Sequence, residues 1–144
     1  MKPLVVAFCS ACAAIQSDCI AQSTAYFNEL SNARNDAYAN GWKILEDESY
    51  YVNNDMVLIA DVHQFYAGTS YVLAFYVDEC YGCAITFRAY NGPDYKTLYP
   101  DIQSAGGISR AMYSWTQDSN ESGDLICFVN EAKSYNATIF LFSK

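Results

Sequence analysis

The sequence predicts an all-β protein, an antiparallel β-sandwich of jelly-roll type with about eight strands, preceded by one short helix. Three observations lead there. Short apolar segments alternate oily and polar residues with the period of a strand. Turn-forming residues punctuate them at regular intervals. No helical pattern lies between them, which excludes parallel βαβ units.

The helix is expected from about residue 23 to 38, where Ala25, Leu30, Ala33 and Ala37 recur at roughly helical spacing. Ser23 or Thr24 supplies a cap, and Asn40-Gly41 supplies the stop, because glycine accepts the left-handed conformation that ends many helices. Strands follow near 42–46, 56–63, 70–78, 84–90, 96–99, 110–116, 124–130 and 136–142. Between them stand Asn53-Asn54-Asp55, Ala67-Gly68, Tyr81-Gly82, Asn91-Gly92-Pro93-Asp94, Ala105-Gly106-Gly107, residues 118–123 and Lys133-Ser134. Alternation turns Ile85, Phe87 and Ala89 inward and Thr86, Arg88 and Tyr90 outward. It also makes Met56, Leu58, Ala60 and Val62 an inner row, with Asp61 and His63 outside. Residues 71–77 and 139–142 are apolar on both faces, the pattern of central strands or of an outer face covered by the helix or a partner.

A chain of 144 residues, 52% hydrophobic and 17% charged, has the composition of one folded domain. Its net charge of -8 repels phosphate backbones and anionic headgroups, so nothing supports binding to nucleic acid or a membrane surface. Met1-Lys2-Pro3 followed by an apolar run at residues 4–15 reads as a secretory leader, and the run is too short to span a bilayer. Cleavage is expected after Ala21, with a site after Ala13 as the alternative; Cys9, Cys12 and Cys19 lack a lipobox. The expected organisation is therefore a leader at 1–21, a helical segment at 22–41 and a sandwich at 42–144, in a secreted or periplasmic protein.

Removal of the leader leaves Cys80, Cys83 and Cys127. Cys80 and Cys83 are the expected disulfide across a tight loop that Gly82 permits, with Cys127 as a buried thiol; pairing of Cys83 with Cys127 across two strands is the alternative. Redox chemistry of the pair would need a helix N-terminus, and a zinc site would need a second pair.

Phe65-Tyr66-Ala67-Gly68-Thr69-Ser70-Tyr71-Val72-Leu73 resembles the strand entry of the bacterial pre-peptidase C-terminal-like β-sandwich modules. Residues 78–83, followed by Ile85, Phe87, Ala89, Tyr90 and Asn91, are similar to a loop and strand that in secreted members read Cys-Asp-x-x-Cys and then Asp-Leu-Asp-Leu. Ser122-Gly123-Asp124 with Ile126, Phe128 and Val129 is similar to their later Gly-x-Tyr strand. The likeness spans roughly residues 42–144 and implies a sandwich fold and a non-catalytic accessory role. Ala84 and Thr86 replace the two aspartates, so no cation site carries over.

Catalytic signatures are sparse. His63, the sole histidine, has no Gly-x-Ser-x-Gly elbow to work with. Glu46, Asp47, Glu48, Asp78 and Glu79 read as a solvated acidic surface and not as a glycosidase pair. Asp118, Asn120 and Ser122, with Gly123, match the start of a calcium loop, but Val129 stands where the bidentate glutamate belongs, so a hydrophilic hairpin is the preferred reading. Aromatics carry the remaining signal: 16% of the chain, with 13 tyrosines. Tyr76, Tyr90, Trp42 and Trp115, with Tyr50, Tyr51, Tyr95, Tyr99 and Tyr113 nearby, are candidates for a face that stacks sugars or meets a protein. The expectation is a non-enzymatic binding module without a cofactor, taking a protein or glycan; the alternatives are a self-assembling subunit and, behind it, a hydrolase. Asn120 with Ser122 and Asn136 with Thr138 form N-glycosylation sequons, meaningful only in a host that uses them.

Overall fold

A computed structural model describes residues 23–52, 58–80, 82–129 and 134–144. The expected leader lies outside the described residues, as do the side chains of Met56, Leu58, Ala60, Asp61 and Val62. Among the described residues one helix, α1 (Thr24–Ala39), precedes strands β1 (Lys43–Val52), β2 (Leu58–Phe65), β3 (Ser70–Val77), β4 (Ile85–Asn91), β5 (Asp94–Leu98), β6 (Asp101–Ala105), β7 (Ile108–Thr116), β8 (Glu121–Val129) and β9 (Tyr135–Ser143). They form two antiparallel sheets, ordered β1-β9-β3-β7-β6 and β2-β8-β4-β5. With β6 set aside, the pairs β1 with β9, β2 with β8, β3 with β7 and β4 with β5 are nested, which is the wrapped ribbon of a jelly roll. No helix among the described residues is long and apolar enough to cross a membrane.

The expected alternation holds on β4. Ile85 and Phe87 are buried, Ala89 packs against the core, and Thr86, Arg88 and Tyr90 are only half-buried. Between the sheets lie Leu73, Phe75, Phe87, Leu125, Cys127, Ile139 and Leu141. The apolar stretches of β3 and β9 are central strands, and their second face is covered by α1, so both structural reasons for two-sided hydrophobicity operate together. Tyr26, Leu30 and Ala37 on the helix bury against Ala74, Tyr76, Phe140 and Phe142. Tyr26 replaces Ala25 in the expected stripe: Ala25 faces solvent, while the Tyr26 ring is wholly buried.

Both ends of the helix are fastened. Ser23 is the cap: its hydroxyl accepts from the Tyr26 N–H at 3.1 Å and donates to the Asp78 carboxylate at 2.8 Å, while its own N–H reaches Asp78 at 2.9 Å. Asp78 is buried at the end of β3 and also accepts from the Glu79 N–H. A carboxylate at the positive end of the helix dipole is favourably placed. At the other end, Gly41 takes φ +73° and Lys144 donates to the Asn40 carbonyl at 2.9 Å. Midway, Arg34 holds Asp47 of β1 through two hydrogen bonds of 2.7 and 2.9 Å.

Strand boundaries depart from expectation at the edges. β1 continues to Val52 because an edge strand can leave Asp47 and Glu48 exposed and needs no oily alternation, while Glu46 turns in towards His63. The strand β6 was not expected, since Asp101-Ile102-Gln103-Ser104-Ala105 has no apolar row; it is also an edge. Its signal was in the turn. Ala105 pairs with Ile108 across Gly106-Gly107, both at positive φ, a two-residue hairpin that demands a strand on each side. Likewise Asn91 pairs with Asp94 across Gly92-Pro93, so β5 starts earlier than the expected 96–99. Asn136 is buried in β9, so the second sequon is closed to a folded chain; Asn120 is exposed.

Cys80 and Cys83 are joined, with Cα atoms 5.5 Å apart, and Cys127 is a free buried thiol held well above its ordinary pKa by desolvation. The alternative pairing of Cys83 with Cys127 is not made. The disulfide loop is sewn to the β6–β7 hairpin: the Cys80 N–H donates to the Gly107 carbonyl and the Ser109 hydroxyl donates to the Cys80 carbonyl.

Replacing Asp78 with Ala removes the anchor of the helix N-terminus and is expected to cost about 2–3 kcal/mol in urea unfolding, against at most about 1 kcal/mol for Asp47→Ala at the half-exposed pair. Equal effects would show that the cap is not what holds the helix.

Burial, opposed in part by the Thr138 hydrogen bond, lifts the Tyr26 phenol well above its ordinary value of 10.0. A raised folded-state pKa means that its contribution is complete below about pH 10 and is lost as pH climbs from there towards the folded value. Stability curves taken between about pH 9 and 11.5 should therefore fall less steeply for Tyr26→Phe than for the parent; parallel curves would contradict the assignment.

Candidate functional site

At the end of the sandwich where β3 begins and β7 ends, the two sheets part into a cleft of about 530 Å³. This is the end opposite the disulfide loop, because Tyr71 pairs with Trp115 here whereas Val77 pairs with Ser109 at the other. The register of β7 explains its floor: Ala111, Tyr113 and Trp115 share the inward face, and the last two reach the mouth, where the core runs out. Phe65, Leu98 and Leu125 continue that floor.

The aromatic floor is fixed in place. Trp115 stacks on Tyr71 with ring centres 5.2 Å apart and an interplanar angle of 24°, meets Phe65 edge-on at 5.7 Å, and lies 5.8 Å from Tyr113. Its indole N–H donates to the Gln117 side chain at 2.9 Å, which fixes the ring's rotation. Tyr71 is tied in turn by its hydroxyl, which accepts from the Tyr66 N–H at 2.9 Å. Such an arrangement presents apolar surface at little entropic cost on binding.

Polar groups form the rim. Asn91, Asp94, Tyr95 and Lys96 come from the β4–β5 hairpin, Asp118 from the turn after β7, and Glu121, Ser122 and Asp124 from β8. Tyr90 and Tyr95 face each other across that hairpin with ring centres 5.2 Å apart. Beneath Tyr95 the Arg88 guanidinium is held between two rings, 4.6 Å from Tyr95 and 4.6 Å from Phe128.

Gly123 is the position that lets the rim close. A methyl group there would fall against the Tyr90 carbonyl oxygen, so only glycine allows β8 and β4 to run this close beside the mouth.

The structure divides the four expected aromatics. Tyr90 and Trp115 line the cleft. Tyr76 does not belong to an exposed face: it is 4% exposed, packed edge-on against Phe140 beneath α1, because its outward side is the helix-covered one. Trp42 also lies on the helix side, half-buried, with the Lys144 ammonium 5.8 Å from its ring centre. Tyr113, earlier only a neighbour in the pattern, and Tyr95 belong to the site; the signal for Tyr113 was its period-two relation to Trp115.

The other candidates lie as follows. Asp118 and Asn120 sit in the β7–β8 turn, whereas Ser122 is already in β8, paired with Gln64, so the run is not folded as one ligand loop. Asn120 accepts from the Ala67 N–H at 2.8 Å. Among the described residues no cluster of His, Cys, Asp and Glu has the arrangement of a metal site. His63, expected on the outward face, is mostly withdrawn: its side chain is 16% exposed, with Nε2 at 3.2 Å from Glu46. A bulge between Ala60 and His63 re-aims it towards β1, away from the cleft lining.

Comparison with protein-family models and with curated proteins returned no match.

Gly123→Ala should cost about 1–3 kcal/mol in chemical denaturation by forcing β4 and β8 apart, whereas Gly68→Ala, which meets no atom, should cost less despite its positive φ. An equal loss at both positions would place the constraint in backbone conformation and not in the rim.

Proposed function

We propose that the protein is a non-catalytic, exported binding module that takes a glycan chain in the cleft at the open end of its sandwich. The observation that carries this reading is the fixed ring pair Trp115 and Tyr113 at the base of a concavity rimmed by carboxylate, amide and hydroxyl groups. A pyranose has apolar C–H faces and a girdle of hydroxyls, so it calls for flat aromatic surface below and hydrogen-bonding groups around it. The cleft is open to solvent. The sequence resemblance to accessory modules supports the same class, and double-sheet jelly rolls host lectin domains among many other functions, so the fold permits the reading without implying it.

Two features weigh against the competing classes. An acid catalyst of glycoside hydrolysis works from a carboxyl withdrawn from water, whereas Asp94, Asp118 and Glu121 are exposed. Of the sheet edges, β1, β5 and β6 carry Asp47 and Glu48, Asp94 and Lys96, and Asp101 respectively, charges of the kind that guard edges against pairing.

Trp115→Ala should weaken binding to a responsive polysaccharide by at least about tenfold, with Trp115→Phe intermediate and both variants retaining the parent's far-ultraviolet dichroism. Calorimetry against a panel of neutral, acidic and amine-bearing oligosaccharides reads this directly. No binding by the parent to any of them, or unchanged affinity in Trp115→Ala, removes the proposal.

A further inference from the structure

The rim of the cleft is lopsided in charge. Asp94, Asp118, Glu121 and Asp124 line it against the single cation Lys96. The Arg34–Asp47 ion pair and the His63–Glu46 contact involve none of these groups. Of the four carboxylates only Glu121 meets a side-chain donor, the Ser119 hydroxyl at 3.0 Å. The arginine of this hairpin, Arg88, does not neutralise them, because its guanidinium is held between Tyr95 and Phe128 and is not part of the cleft lining.

Two aromatic rings, Tyr113 and Trp115, floor the concavity that these acids rim, while Tyr90 and Tyr95 border it from the hairpin with their rings paired on the outer face over Arg88. The face of an aromatic ring carries the negative part of its quadrupole and attracts ammonium groups. Carboxylates alone would make only an acidic surface, and rings alone would accept any sugar. Together in one cleft they favour a ligand that is flat-faced and positively charged at once.

We infer that the cleft is selective for amine-bearing glycans, polymers of an amino sugar with free, protonated amines, and discriminates against neutral and acidic sugars. This rests on the glycan reading above and adds to it the chemical class of the chain. The rings take the pyranose face while a carboxylate from Asp118, Glu121, Asp124 or Asp94 meets the ammonium. The overall charge of -8 acts in the same sense at longer range, drawing polycationic chains towards the protein.

The test uses Trp42→Phe, whose only tryptophan is Trp115, so that fluorescence reports on the cleft. Oligosaccharides of equal length built from β-1,4-linked glucosamine, N-acetylglucosamine and glucose are titrated, with an oligolysine of matched charge alongside. The glucosamine chain should bind about tenfold more tightly than either neutral chain, and raising salt from about 20 to about 500 mM should shrink that gap. The double variant Asp118→Asn, Asp124→Asn should narrow the preference to within about threefold.

Equal affinity for the glucosamine and neutral chains overturns the charge selectivity and leaves the glycan reading standing. Oligolysine binding as tightly as the glucosamine chain overturns it too, since charge alone would then suffice. Binding by none of the sugars overturns both readings.

Discussion

The architecture follows from one constraint: β3 and β9 are oily on both faces, and a strand can lose both faces to solvent only if a layer covers each. The four-stranded sheet covers one side and α1 covers the other, giving three layers from a chain whose pattern is otherwise that of two. Everything else is arranged around keeping that helix in place. Asp78, Arg34 and Lys144 fasten its start, middle and end to three different parts of the sandwich. The hydroxyl chain from buried Tyr26 through Thr138 to Ser49 at the surface, at 2.6 and 2.8 Å, gives the phenol that the helix buries a partner on β9 and links it to β1.

Coverage of one sheet by the helix also decides where a ligand can go. The outer face of the five-stranded sheet is occupied near its centre, and the interior is filled by Leu73, Phe75, Ile139 and Leu141. Between the sheets, space opens where the inward rows run out, at the mouth formed by β7 and the β4–β5 hairpin. There the residues change character within one or two positions, from Leu125 to Gly123 and Glu121 on β8 and from Leu98 to Lys96 and Asp94 on β5. The polar rim and the aromatic floor are thus continuations of core strands, and the floor inherits the rigidity of the core through Tyr71 and Phe65.

Much of this was legible in the residues. The two-sheet class, the faces of β4, the double-sided β3 and β9, the cap at Ser23 and the Cys80–Cys83 pairing all rest on local chemistry that period and spacing express. What was illegible has two physical sources. The edge strand β6 and the second half of β1 are stabilised by backbone pairing on one side and carry no oily alternation, so composition conceals them. Clustering of side chains from distant strands is a property of register: Trp115 joins Tyr113 at the cleft while Tyr76 and Trp42 gather beside the helix, and nothing in an aromatic count separates the two pairs. The positive signal that was present, the Gly106-Gly107 hairpin, lay in the turn and not in the strand.

Burial of Asn136 in β9 has a bearing on how the molecule can be made. Oligosaccharyl transfer acts on a nascent chain before it folds, so the eventual inaccessibility of an acceptor offers it no protection. A chain decorated at Asn136 would have to place a bulky hydrophilic tree in the strand that joins β1 to β3, which the closed sheet has no room for. Production through a eukaryotic secretory route therefore sets assembly of the central sheet against a competing modification, a conflict that a bacterial cell, or an Asn136→Gln chain, never meets.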